Sequence, residues 1–467
     1  MPANSKVLGA RSYGLESRLI LQSTIAGVSI EGASMYGLGQ GTARGAVPSS
    51  RLVIYKVCYE DECSDMDLMV AFDDAIQDGV DMISLSVGGP LSDYFSDAIA
   101  IGSFHAMKKG ILTSGSSGLL LELEMARMKM AQRPDCTTNM IGCTNREFLS
   151  TPSPKAGMYP LTSAAQAWND SLQMPDAEGY CFVETLDTNK VKGKIVLCKG
   201  GSDSDIKEIG GVGMIVTSDD SLDTGVTLVL PTALVNSERG AKMDKYINPT
   251  KNPYAVISKS KTVNVSAPFV ASFSSRGPNL VSPTISKPDI VAPRIDVLAA
   301  CSKLVAVTGE TMDNRVDACN IISRTAMACP HATGVAAYIK TFHPEWSPAT
   351  IKSAFMTTAS EMKIGDLFAE WGSSAGQIDP TKALDLGLIY ELSERSYPFI
   401  IYSEAILSIV TRNENTNCST ISPFGAHDAL NYASMNVQVE NPQSSTTIAF
   451  IRTVINVGPE NHLTRQW

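Results

Sequence analysis

The chain has 467 residues, 44% of them hydrophobic and 18% charged, which is enough for two to four domains with buried cores and excludes overall disorder. The net charge of −10 and pI near 5.1, without a Lys/Arg cluster, argue against a nucleic-acid partner. No apolar run approaches the ~18 residues of a membrane span, so no membrane partner is expected.

In chain order, residues 51–58 read as a buried strand. Residues 65–78 follow with Met66, Met69, Val70, Phe72, Ala75 and Ile76 on one helical face. Residues 81–89 predict a second strand that ends in Gly88-Gly89. Residues 97–109 predict a helix closed by Gly110, and a third strand starts at Ile111. Alternating strand and helix predict an α/β parallel sheet with helices on both faces. Residues 119–130 favour helix by propensity but look unrelated to their surroundings, and 135–155 have no clear period. Short strands at 194–198, 212–216 and 226–230 predict a separate β-rich unit. The sheet is expected to resume in the stretches 269–278 and 287–293. A helix follows from Ala326, and another opens with Ser347 as N-cap and Pro348 in its first turn. The run 446–457 is β-like.

The start of the chain, Met-Pro-Ala-Asn-Ser-Lys, has no signal-peptide pattern, which taken alone predicts a cytosolic protein. Other features point to secretion. Cys58 and Cys63 flank a short acidic loop, and Cys181 and Cys198 are spaced as a second candidate disulfide. Sequons at Asn169, Asn264 and Asn417 are candidate glycosylation sites. The two sets of signals conflict. Zinc-type CxxC spacing is absent from both cysteine pairs, so neither a metal nor a cofactor is expected.

Five motifs occur in one order: residues 36–45 (YGLGQGTARG), 78–86 (DGVDMISLS), 274–278 (SSRGP), Cys329-Pro330-His331 and Trp346-Ser347-Pro348. With the stretch 323–334, they resemble the plant subtilisin-like serine proteases of the cucumisin type. That resemblance implies an α/β subtilisin-like fold. It also implies four units: residues 1–155 and 263–395 as the two parts of a catalytic domain, 156–262 as an inserted protease-associated β domain, and 396–467 as part of a fibronectin-III-like β-sandwich.

Family chemistry needs a nucleophilic serine, a histidine base, an aspartate that orients it and an asparagine donating to the oxyanion. The resemblance puts Ala326 at the nucleophile, in Arg324-Thr325-Ala326-Met327 where the family has Gly-Thr-Ser-Met. It puts Leu119 at the oxyanion position after Ser116-Ser117-Gly118. The histidine belongs just before the run Ser23-Thr24-Ile25-Ala26-Gly27, near Ser17, where no histidine stands. The aspartate's strand is expected upstream of residue 1. The chain has five histidines, the first being His105. His105 and His331 read as ordinary helix residues and His343 as an exposed one.

Residues Ser86, Val87, Gly88 and Gly89 resemble the family's substrate-pairing edge, with Ser114, Gly115 and Ser116 opposite. The expected partner is an extended peptide or protein substrate. The implied function is a serine-type endopeptidase homologue that has lost hydrolysis. The alternatives are an active secreted endopeptidase whose sequence is misrecorded, and a pseudogene product that does not fold.

Overall fold

The computed structural model describes residues 7–12, 20–59, 62–88, 92–116, 148–149, 158–172, 174, 177–219, 225–258, 268–271, 273–282, 285–362, 369–392, 431–437, 445, 447 and 449–458. The first part of the chain forms β1 (Val7–Ser12), α1 (Ile20–Ala26), a hairpin of Ile30–Met35 with Leu38–Ala43, and β2 (Leu52–Lys56). Then come α2 (Asp65–Asp78), β3 (Met82–Leu85), α3 (Ala98–Lys108) and β4 (Leu112–Gly115). β1 runs parallel to β2, and β3 parallel to β4. The architecture is α/β, with parallel strand pairs flanked by helices. Among the described residues no ladder joins β2 to β3, so the expected continuous sheet is divided there.

α2 ends on Gly79, whose φ of +70° and ψ of 41° form the left-handed turn that glycine adopts without strain. Its buried face is Leu68, Ala71, Phe72 and Ala75. Met66 and Val70, expected inside, are exposed at 76% and 43%. The packed stripe is rotated toward α3, where Gly102 lets the Phe72 ring approach. Asp97 caps α3 by accepting from the amides of Ile99 and Ala100 at 2.8 and 3.2 Å.

The middle of the chain builds a five-stranded sheet. Its strands are β5 (Tyr159–Ser163), β6 (Ile195–Cys198), β7 (Gly213–Thr217), β8 (Thr232–Val235) and β9 (Tyr254–Ala255), in the order β8-β7-β6-β5-β9. All but β9 run parallel to their neighbours. β6 is buried on both faces, with Ile195 and Leu197 in one core and Val196 and Cys198 in the other. Two-sided burial explains its unbroken apolar run. The helix α4 (Ser237–Ile247) covers one face through Met243 and Ile247. Cys181 and Cys198 are bonded at 1.95 Å, and Cys58 and Cys63 at 2.00 Å.

The last part contains β10 (Val297–Ala300) antiparallel to β11 (Cys319–Ile322), then α5 (Thr325–Phe342) and α6 (Pro348–Thr358). Ser347 accepts from the amide of Thr350 at 3.0 Å, and Pro348 occupies the first helical position. Val335, Ala336 and Ile339 of α5 pack with Trp346, Ile351 and Phe355. β12 (Leu388–Tyr390) pairs antiparallel with β13 (Val454–Asn456).

Four strand expectations are corrected. The described residues of 269–278 form turns and irregular chain, closed by bonds such as Ser274 N to Ala271 O at 3.0 Å. Residues 287–293 hold only one isolated bridge, Val291 to Gln377. A two-proline stretch lacks the amides a ladder needs. The strand expected over 81–89 stops at Leu85. Of the β-like run 446–457, only Val454–Asn456 forms a strand. The helix read over 119–130 and most of 396–467 lie outside the described residues.

Candidate active-site cleft

α5 points its N-terminus at the C-terminal ends of β3 and β4. Arg324 is the N-cap, with extended φ −158° and ψ 156° and no side-chain cap bond. Ala326 is the second helical residue and half-buried. Pro330 sits within the same helix. It has no N–H to give the carbonyl four residues back, which is that of Ala326. The Ser86 hydroxyl donates there instead, at 3.1 Å.

A second set of bonds pins the helix to β4. Ser114 Oγ donates to the Cys329 carbonyl at 3.3 Å, and Cys329 Sγ donates to the Ser114 carbonyl at 3.1 Å. Ser84 Oγ lies 3.4 Å from Cys329 Sγ. Past the strand ends the pairing continues through the Ser116 amide, which donates to Leu85 O at 3.2 Å. The structure therefore brings Ser86, Ser114, Gly115 and Ser116 together around the head of α5, with Val87 and Gly88 leading away from it. Ser86 to Gly88 are irregular chain and not strand. Leu119, Ser17 and Gly89 lie outside the described residues, as do Asn264 and Asn417. Asn169 is half-buried in a turn where its Oδ1 accepts from Ser171 Oγ at 2.6 Å.

The polar groups near Ala326 have other partners. Ser323 Oγ donates to Asp296 Oδ1 at 2.9 Å and accepts from the Asp296 amide at 2.8 Å. His331 Nδ1 lies 2.7 Å from the Met327 carbonyl. A carbonyl only accepts, so Nδ1 carries the proton. Burial lowers the His331 pKa, and the bond to Met327 opposes that only in part. The ring is therefore neutral at pH 7, with its Nδ1–H bonded within its own helix. His105 is exposed on α3. His343, expected to be exposed, is half-buried: its ring stacks on Trp346 at 3.9 Å and Nε2 lies 3.1 Å from the Leu384 carbonyl. Among the described residues no group of three or more His, Cys, Asp or Glu could hold a metal ion, and no helix is long and apolar enough to cross a membrane.

A cluster that sequence reasoning did not find lies below α6. Asp289 Oδ2 is 2.6 Å from Lys287 Nζ and 3.3 Å from Lys352 Nζ, and Tyr432 donates its hydroxyl to Oδ1. Lys352 Nζ also stands 4.0 Å over the Tyr432 ring. Burial works against the Asp289 charge, but the two lysines outweigh it and hold the carboxyl well below its usual range. Burial lowers Lys352 to about 8 although Asp289 supports its charge. Lys287 and Asp289 lie in a stretch read only as resumed sheet, and Tyr432 is too distant in sequence to be linked to them.

The subtilase family model (peptidase S8) matches residues 22–381. Subtilisin-like protease SBT4.15 of Arabidopsis thaliana is 40% identical over an alignment covering 99% of this chain and 68% of that protein. Subtilisin-like protease SBT4.14 of the same plant is 43% identical, over 94% of this chain and 61% of its own length. The chain thus spans about two thirds of the length of these relatives. On this family match and these identities, the chain belongs to the subtilase family.

Proposed function

We propose that this chain is a subtilisin-like homologue that holds extended peptides at the cleft between Ser86–Gly88 and Ser114–Ser116 without cleaving them. The observation that carries this reading is Ala326 at the head of α5. A methyl group there has no lone pair for attack on a carbonyl. Loss of the nucleophile or base in subtilisin lowers turnover about 10⁶-fold. The nearby Ser323 is bonded to Asp296, and His331, five residues further along the same helix, projects about 140° around its axis from position 326. Leu119 at the oxyanion position would remove a further donor, worth about 10²–10³. The chain past β3 and β4, exposed at Gly88 and Gly115, suits pairing with an extended chain.

The same reading assigns residues 156–262 to a protease-associated insertion and 396–467 to part of a fibronectin-III-like domain. The five-stranded sheet with its own two cores supports the first assignment. The sequons and both cysteine bridges support passage through an oxidising compartment.

The test is a titration of fluorescently labelled extended peptides of varied sequence, read by anisotropy, with the peptides recovered for mass spectrometry after prolonged incubation. Saturable binding with intact peptides is expected. Cleavage at one bond would overturn the loss of hydrolysis, and absence of binding would overturn the peptide-holding role.

A further inference from the structure

Arg324 stands two residues before Ala326, so their Cα atoms are at most about 7.6 Å apart. Its backbone is extended, at φ −158° and ψ 156°, a conformation that any residue adopts, so a side chain is held there without strain. That side chain is exposed, and among the described residues its guanidinium makes no ion pair and no hydrogen bond. A guanidinium offers five N–H donors in a planar fork and accepts nothing.

The walls of the cleft carry no other charge. Residues 84–88, 112–116 and 325–328 are serine, threonine, glycine and apolar residues only. Two charged groups lie behind Arg324. The Arg294 carbonyl accepts from the Arg324 amide at 3.2 Å, and the Arg294 guanidinium is buried over the Phe273 ring, 5.2 Å from its centre. Asp296 is turned to Ser323 Oγ and the Gly225 amide, which donate to its Oδ1 at 2.9 and 2.8 Å. α5 adds to the positive side. Its N-terminus carries about half a positive charge, and no acidic residue stands in its first turn. A cation is disfavoured at that end of a helix, and an anion beside it relieves the repulsion. The bond from Ser86 Oγ to the Ala326 carbonyl, at 3.1 Å, sets the chain at 86–88 against the same helix head.

We infer that, given the peptide-holding role proposed above, Arg324 makes this cleft selective for extended peptides that bring a carboxylate to the head of α5. The carboxylate comes from an aspartate or glutamate side chain or from the peptide's C-terminus. Either accepts two parallel N–H bonds from one guanidinium. A peptide seated in the cleft also shields the pair from water, which strengthens it relative to an exposed pair.

The probes are neutral extended peptides blocked at both ends, in which one glutamate is walked along the chain, with glutamine and lysine sets for comparison. One further neutral peptide keeps its C-terminal carboxylate free. Binding to the full chain is read by anisotropy. A glutamate in one register, or the free C-terminus, is expected to bind at least about tenfold tighter than the blocked neutral peptide. Whichever peptide gains identifies the source of the carboxylate. Arg324→Gln removes the gain, and Arg324→Glu reverses it so that lysine binds best. The exposed position lets both variants fold, which their unfolding midpoints check, and either one serves if the other does not. Saturable binding without regard to charge overturns the inference and leaves the peptide-holding role standing. So does a preference for the carboxylate that persists in folded Arg324→Gln. Absence of saturable binding by every peptide overturns the peptide-holding role, and the selectivity with it.

Discussion

Pro330 removes the amide that would close the first turns of α5 onto the Ala326 carbonyl, and Ser86 supplies the missing donor from 240 positions away. That bond ties the head of the helix to the chain leaving β3, so it fixes one wall of the cleft. Ser86→Ala leaves a partly buried carbonyl without this donor. The expected cost is about 1–2 kcal/mol in chemical denaturation; an unchanged midpoint would show that water replaces the hydroxyl fully. Much at this scale was legible in sequence. Ala326 stands inside a motif whose spacing alone identifies the helix that carries it. The role of Ser86 was not legible, because a hydroxyl bonding across so long a separation leaves no local pattern. His343 was misread for the same reason: stacking on Trp346 and contact with Leu384 depend on how the chain returns.

Helices with complete local signals formed where expected. α6 is the clearest case, with Ser347 capping, Pro348 at its first position and Glu391 accepting from Ser347 Oγ at 2.8 Å. Ser347→Ala removes the cap and the anchor to Glu391 together. It should cost about 1–2 kcal/mol, measured as a shift in the unfolding midpoint; a loss below about 0.5 kcal/mol would show that the cap is replaceable. Strands were read less well. Phe269-Val270-Ala271 is apolar, and Ala271 is buried, but the chain there serves turns and no ladder. Apolar character reports burial; a strand also needs a neighbour to pair with. The rotation of α2 makes the same point. Its period was legible, but its buried stripe is set by α3. A Cβ on Gly102 would lie 2.2 Å from the Phe72 ring. Gly102→Ala should therefore destabilise the pair by about 1–3 kcal/mol, and wild-type stability would contradict this packing.

Across the whole molecule, the cluster of Lys287, Asp289, Lys352 and Tyr432 joins residues 431–437 to the rest of the chain. Asp289 has a lowered folded pKa, so its stabilisation is fully present above about pH 4 and is lost as pH falls toward the folded value. Lys352 works the other way. Its folded pKa of about 8 lies below the unfolded value, so the cost of charging it is present below pH 8 and is relieved as pH rises toward about 10.4. Asp289→Asn strands two lysines beside each other and should cost about 2–3 kcal/mol at pH 7, less than a fully dry pair because both lysines touch water. The variant should also lose the acid-side dependence; an unchanged pH–stability profile would contradict the clamp. The central claim, that a chain with this family's architecture lacks its nucleophile, is tested most directly by a serine-directed fluorophosphonate probe on the full chain. The account predicts no labelled serine in the protein as it stands. It also predicts none in Ala326→Ser, because no described histidine is placed to serve as base. Stoichiometric labelling of any serine in the unmodified chain would contradict it.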